Sequence, residues 1–159
     1  FSPSGMPSEN RIPSLAEMTN KAVESLSSNE NGFFLMVEGS QIDWGGHANE
    51  TPYVVREVKD FDDAIGVVLA FAQENPGTLV IITADHETGG MTINGVNREN
   101  TVVDIAWTST GHTGTPIPLM AYGPHAVEFS GWWDNTDIGK KVADLLGFEN
   151  FPLIISADN

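Results

Sequence analysis

The chain has 159 residues, the length of one ordinary domain, and 40% of them are hydrophobic, enough for a core. Seven basic against 22 acidic residues leave a formal charge of −15, which argues against a nucleic-acid or anionic-membrane partner. With no cysteine there is neither a disulfide nor a thiolate zinc site, so any metal must be held by His, Asp and Glu. No apolar run approaches the roughly 18 residues that a membrane span requires. The opening Phe1-Ser2-Pro3-Ser4-Gly5 is neither a signal peptide nor an initiator sequence, and it reads as a cut inside a longer polypeptide. No repeat or linker divides the chain, so residues 1–159 are treated as one unit.

After Pro13, the run Ser14-Leu15-Ala16-Glu17 is a capping box that starts a helix. Leu15, Met18, Ala22 and Leu26 recur on its inner face, and Asn31-Gly32 stops it. Residues 33–37 form a continuous apolar run of strand length, as for a strand buried on both faces. Residues 38–49 are polar, glycine-containing and aperiodic, hence a loop. From about Thr51 a long helix turns Val54, Val58, Phe61, Ile65, Val68 and Ala72 inward, with Pro52 in its first turn. Asp60, Asp62 and Asp63 form its wet face.

Asn75-Pro76-Gly77 ends that helix, and residues 78–84 are a second buried strand. Strand, helix and strand make a βαβ unit, which requires parallel strands and a right-handed crossover. Residues 91–94 and 102–107 are shorter strand candidates around a turn-like 94–97; 109–115 is a glycine-bearing loop and 118–122 another strand. Residues 134–136 offer caps for a last helix, with Ile138, Val142, Leu145 and Leu146 inward and Gly147 as its stop. The class is α/β.

The residues able to do chemistry gather at the ends of these strands. Glu38 follows the first strand directly, with Asp43 and His47 in the loop behind it. Asp85 and His86 follow the second strand, and His112 lies in a later loop. The C-terminal ends of neighbouring parallel strands share one edge, where such folds bind ligands. Topology alone therefore draws carboxylates and imidazoles from three loops toward one place. Asp and neutral His suit a zinc-type ion, while Glu and water suit magnesium. Taken singly, Asp85-His86 is a cap beside a surface histidine, and Asp43 with His47 an ordinary surface pair. Three such sets in one short chain argue instead for a shared site. A surface this acidic would also repel a phosphorylated substrate unless cations reverse the sign locally.

Residues 34–47, Phe-Leu-Met-Val-Glu-Gly-Ser-Gln-Ile-Asp-Trp-Gly-Gly-His, resemble the Val-Glu-Gly, Ile-Asp and His signature of the alkaline phosphatases. Thr83-Ala84-Asp85-His86 is similar to that family's second metal motif, and Thr110-Gly111-His112-Thr113-Gly114 to its third. The tail through Asp134-Asn135-Thr136-Asp137 resembles the family's C-terminal end. The resemblance implies a three-layer α/β sandwich with a mostly parallel sheet, of which residues 1–159 are the C-terminal portion. It implies two zinc ions, one held by Asp43, His47 and His112 and the other by Asp85 and His86, and one magnesium ion served by Glu38. Paired zinc ions stabilise both the attacking and the leaving oxygen of an in-line displacement.

The resemblance further implies a phosphate monoester substrate, a covalent phosphoenzyme, release of inorganic phosphate, a homodimer, and a periplasmic or secreted setting. Trp44 stands where relatives place Lys, His or Trp; its indole either borders the phosphate pocket or packs over the loop. Residues 95–103 are short where larger relatives insert a substantial domain.

The family's attacking serine or threonine, a carboxylate shared by zinc and magnesium, and an arginine for phosphate belong to its N-terminal half. None has a counterpart here, since Ser40 and Ser109 lack the nucleophile's context. The expectation is a chain that supplies most of the metal ligands and has negligible phosphatase activity by itself. Rival readings are another enzyme of the same metal scaffold (a phosphodiesterase, phosphomutase or sulfatase) and a non-catalytic metal-binding module. Outside the constellation, His125 reads as a surface turn residue, and Glu87 as a solvated carboxylate or an acceptor orienting His86. Trp132-Trp133 reads as packing under the last helix in preference to a partner surface, and Lys140-Lys141 as too small a cluster for nucleic acid.

Overall fold

The computed structural model describes residues 11–97, 99 and 102–152; the opening pentapeptide and residues 98, 100 and 101 of the 95–103 segment lie outside them. Helix α1 (Leu15–Leu26) begins as the capping box requires: the Glu17 N–H donates to Ser14 Oγ at 3.2 Å, and the Ser14 N–H to Glu17 Oε2 at 2.7 Å. It packs on α3 (Thr51–Glu74) through Thr19 and Val23, which are buried, while Met18 faces water. The expected face is thus rotated slightly, because a helix crossing a partner buries the stripe nearest that partner's axis.

On α3, Val54, Ala64 and Ala72 are buried as the periodicity implies, but Val58 is exposed. Asp60, expected on the wet face, is buried beside the buried Glu57. Arg11 reconciles both carboxylates with the interior, reaching Glu57 at 2.8 Å and Asp60 at 2.6 Å. A guanidinium is suited to this because its fixed fork serves two acceptors at once. Tyr53 on the same helix donates to Gln41 Oε1. Burial pushes its phenol above the ordinary value, and the charge of Glu57 adds to that, so it remains a donor.

The largest departure from expectation lies in residues 38–49. Gln41–His47 is a helix, α2, where glycine content and missing periodicity suggested a loop. Its seven residues are too few to show a period. Gly45 and Gly46 are buried because α2 lies directly on its neighbours; a Cβ at Gly45 would stand 2.9 Å from Val54 Cγ2, and one at Gly46 2.8 Å from the Thr88 carbonyl oxygen.

The strands are short. β1 (Val80–Ile82) pairs antiparallel with β6 (Met120–Tyr122), β2 (Glu87–Thr88) with β5 (His112–Thr113), and β3 (Thr92–Asn97) with β4 (Val102–Ala106). β3 runs through the expected turn at 94–97 and absorbs a register shift between Ile93 and Gly95. Residues 33–37 belong to no helix and to none of these ladders. The parallel pairing expected of the βαβ unit is therefore not formed among the described residues. The segment has one covered face and one bare face: Phe33 meets Phe71 on α3 at 6.2 Å between ring centroids, while Phe34 and Met36 are 66% and 76% exposed.

Helix α4 (Asn135–Leu145) is capped by Asp134, whose carboxylate accepts the Thr136 N–H and hydroxyl. At its other end Gly147, at φ 79°, donates to the Asp144 carbonyl while the Phe148 N–H returns to Ala143, closing a Schellman motif. Ala143 is buried, but Leu145 and Leu146 are exposed rather than inward. Among the described residues no helix is long and apolar enough to cross a membrane.

Candidate metal centre

Three elements deliver the candidate ligands. α2 sets Asp43 and His47 one turn apart, so that both side chains project from one face. Asp85 and His86 lie between β1 and β2, and His112 opens β5, opposite Thr88 in the β2–β5 ladder. An antiparallel ladder, rather than neighbouring parallel strand ends, is what joins the second and third motifs.

Asp43 is central. Its Oδ2 lies 3.4 Å from His47 Nε2, and its Oδ1 lies 3.5 Å from His112 Nε2. The His112 ring stacks on that of His86 with centroids 3.5 Å apart, and the His47 ring is 5.0 Å from that of His112. Asp85 Oδ2 stands 3.1 Å from His86 Nε2. One potential ligand atom from each of Asp43, His86 and His112 falls within 4.8 Å of the others. Carboxylate oxygen and imidazole nitrogen so gathered suit zinc.

Partners outside the ligand set orient it. His47 Nδ1 is 2.6 Å from the Thr110 carbonyl oxygen. A carbonyl only accepts, so this contact is a hydrogen bond when Nδ1 carries a proton, and it turns Nε2 toward Asp43. Thr88 Oγ1 donates to Asp43 Oδ1 at 2.6 Å and lies 3.2 Å from His86 Nδ1. Glu87 is not a free loop carboxylate, and it touches Gly90 and Thr113 rather than His86. It accepts the Gly90 N–H at 2.9 and 3.0 Å and the Thr113 hydroxyl, tying the Asp85-His86 loop to the strand bearing His112.

Gly89 closes the assembly. At φ 92° it occupies a conformation other residues rarely adopt, and a Cβ there would stand 2.6 Å from the Trp107 ring and 2.8 Å from the Gly46 carbonyl oxygen. Of these supporting residues, the sequence motifs contained Thr110, Thr113 and Gly46 without assigning them a role, and Glu87 alone was weighed as an orienting group. A threonine two residues after the histidine and the doubled glycine in Glu87-Thr88-Gly89-Gly90 were the signals present.

Two expected site residues are joined to this cluster by no side-chain hydrogen bond or ion pair among the described residues. Glu38, directly after residues 33–37, is exposed and makes no hydrogen bond or ion pair among the described residues. Trp44 is 39% exposed on α2. Beside Asp85 and His86 a cleft of about 270 Å³ opens, closed on its far wall by Trp132, Trp133 and Ile138. Trp133 packs against α4 beneath the Lys141 ammonium, 4.2 Å above its ring, whereas Trp132 is 85% exposed. His125 is a surface turn residue, paired with Glu128 at 2.7 Å.

The chain belongs to the alkaline phosphatase family, whose model matches residues 5–102 and 96–148. Alkaline phosphatase 3 of Bacillus subtilis is 33% identical over 207 residues, covering 86% of this chain and 45% of the relative. The Escherichia coli alkaline phosphatase is 37% identical over 154 residues, covering 87% and 33%. The alkaline phosphatase from the Antarctic bacterium TAB5 superposes with a TM-score of 0.81 at 43% identity, over 90% of this chain and 44% of that one. A variant of the TAB5 enzyme carries Mg bound in its M3 site. The α/β class expected from the sequence therefore holds, and the chain spans less than half the length of these relatives. The two segments of the family match meet in the β3–β4 hairpin, and the aligned length with the Bacillus relative exceeds that of this chain.

Proposed function

We propose that this chain is the C-terminal, metal-binding portion of an enzyme that hydrolyses phosphate monoesters. One observation carries the reading: Asp43, His86 and His112, from three separate elements, turn ligand atoms within 4.8 Å of one another. Two ions of a paired centre stand about 3.5–4 Å apart, so ligands of neighbouring ions are expected to interleave in this way. Asp43, His47 and His112 would hold one zinc, and Asp85 and His86 the second. Glu38, three residues before α2, would serve a magnesium ion.

When bound, such ions supply the positive charge that stabilises the attacking and leaving oxygens of phosphoryl transfer. The protein's own contribution is orientation. The Thr110 carbonyl holds the Nδ1 proton of His47, and Glu87 fastens the His86 loop to the His112 strand. Trp44 would border the phosphate. The cleft beside Asp85 would admit part of the ester. No serine of this chain has the nucleophile's setting, so the reaction needs a hydroxyl, a bridging carboxylate and an arginine from the preceding part of the enzyme. The same reading includes a covalent phosphoenzyme, a homodimeric whole enzyme, and a periplasmic or secreted setting.

The test compares this chain with the longer polypeptide that contains it. The longer form is expected to hydrolyse an aryl phosphate well ahead of a phosphodiester or sulfate, and to lose that activity to a chelator. The chain alone is expected to bind zinc without measurable turnover. A preference for the diester or sulfate would move the assignment to another enzyme of the same scaffold. Zinc binding without hydrolysis in either form would leave a structural metal module.

A further inference from the structure

Resting on that metal-centre reading, we propose that Thr88 is a positioning residue whose single hydroxyl aligns ligands of both zinc ions. Thr88 Oγ1 lies 2.6 Å from Asp43 Oδ1 and 3.2 Å from His86 Nδ1. A hydroxyl has one proton, and an ionised carboxylate only accepts. The Thr88 proton therefore goes to Asp43, and the short contact with His86 is a hydrogen bond only if His86 Nδ1 carries a proton and donates it to Oγ1. That choice of tautomer leaves His86 Nε2 with its lone pair, 3.1 Å from Asp85 Oδ2, which is where a cation joining the two would lie.

The residue is itself held in place. Its backbone is paired with His112 in the β2–β5 ladder, and its Cβ and Cγ2 rest against Gly46 of α2, where an added Cβ would stand 3.1 Å from each. The methyl thus lies against α2 while the hydroxyl turns to Asp43. Asp43 belongs to one implied ligand set and His86 to the other, so one side chain sets the geometry of both.

Thr88→Val keeps the shape and the methyl but removes the hydroxyl; Thr88→Ser keeps the hydroxyl. Long-range proton–nitrogen NMR of the metal-free protein at alkaline pH reads the His86 tautomer, and calorimetric titration with zinc reads affinity. We expect the Nδ1–H form in the unsubstituted protein and in Thr88→Ser, and a mixture richer in Nε2–H in Thr88→Val. Zinc affinity should fall ~10–100-fold in Thr88→Val and return to within about threefold in Thr88→Ser. An Nε2–H tautomer in the unsubstituted protein overturns the proposal whatever the variants do. So does a Thr88→Val protein with tautomer and affinity unchanged. If the unsubstituted protein takes up no zinc, the metal-centre reading fails, and the tautomer alone decides the role of Thr88.

Discussion

The α1–α3 pair and the loops around Asp43 are assembled on opposite principles. Between α1 and α3, periodic apolar and small side chains bury a broad stripe, and a modest rotation that leaves Met18 and Val58 in water does not break the contact. Around Asp43 no such stripe exists. Position there comes from backbone close approach at Gly46 and Gly89, and from directed hydrogen bonds by Thr88, Glu87 and the Thr110 carbonyl. Hydrophobic burial is non-directional and tolerates small shifts, whereas hydrogen bonds weaken steeply with angle. The helix pair can therefore vary in detail, and the ligand loops cannot.

The largest effect is expected at the buried ionic cluster of the helical region, where Arg11 meets Glu57 and Asp60. Arg11→Ala leaves Glu57 and Asp60 buried without that partner, and unfolding by denaturant should show a loss of roughly 3–5 kcal/mol. Zinc binding by the folded fraction should be unchanged, because the cluster lies outside the ligand loops. A loss no larger than that of an exposed pair, under about 1 kcal/mol, would mean that the cluster is wet.

A glycine in each region then receives the same methyl group. Gly89→Ala forces a side chain into a positive φ and against Trp107, which should cost on the order of 1–3 kcal/mol from the backbone alone. Zinc affinity should fall with it. Gly66→Ala, in the interior of α3 with open space around its Cβ, should instead raise stability by about 0.5–1 kcal/mol. Thermal unfolding of the two proteins side by side measures the contrast; equal shifts would remove it.

The smallest effect is at α4. The Thr136 backbone N–H and then its hydroxyl hold the Asp134 carboxyl below its ordinary value. A folded-state value below the unfolded one contributes stability above the unfolded value, lost as pH falls through the folded one. The amide signals of the first turn of α4 should therefore drift toward coil in acid, below the ordinary carboxylate range. Asp134→Asn should flatten that drift, and an identical titration in the variant would assign it to another group.

Where sequence reading worked, the physics was local. A capping box is two hydrogen bonds within four residues, and Ser14 and Glu17 make both. The glycine stop at Gly147 likewise depends only on the last turn of its own helix. α3 was legible because twenty-four residues carry many turns of one period. α2 was not, since seven residues carry barely two, and its glycines mark contact with Val54 and Thr88 rather than a loop.

Residue type and spacing along the chain sufficed for the α/β class, the main helices, and the choice of Asp and His residues as candidate ligands. Only the tertiary structure decided that Asp60 is buried on Arg11, that residues 33–37 keep a bare face, and that Asp43, His86 and His112 converge. It alone assigned the orienting work to Thr88, Glu87 and the Thr110 carbonyl. Each of those facts is a contact between residues far apart in the chain. Such contacts depend on the distance and direction of approach in space, and linear spacing carries neither.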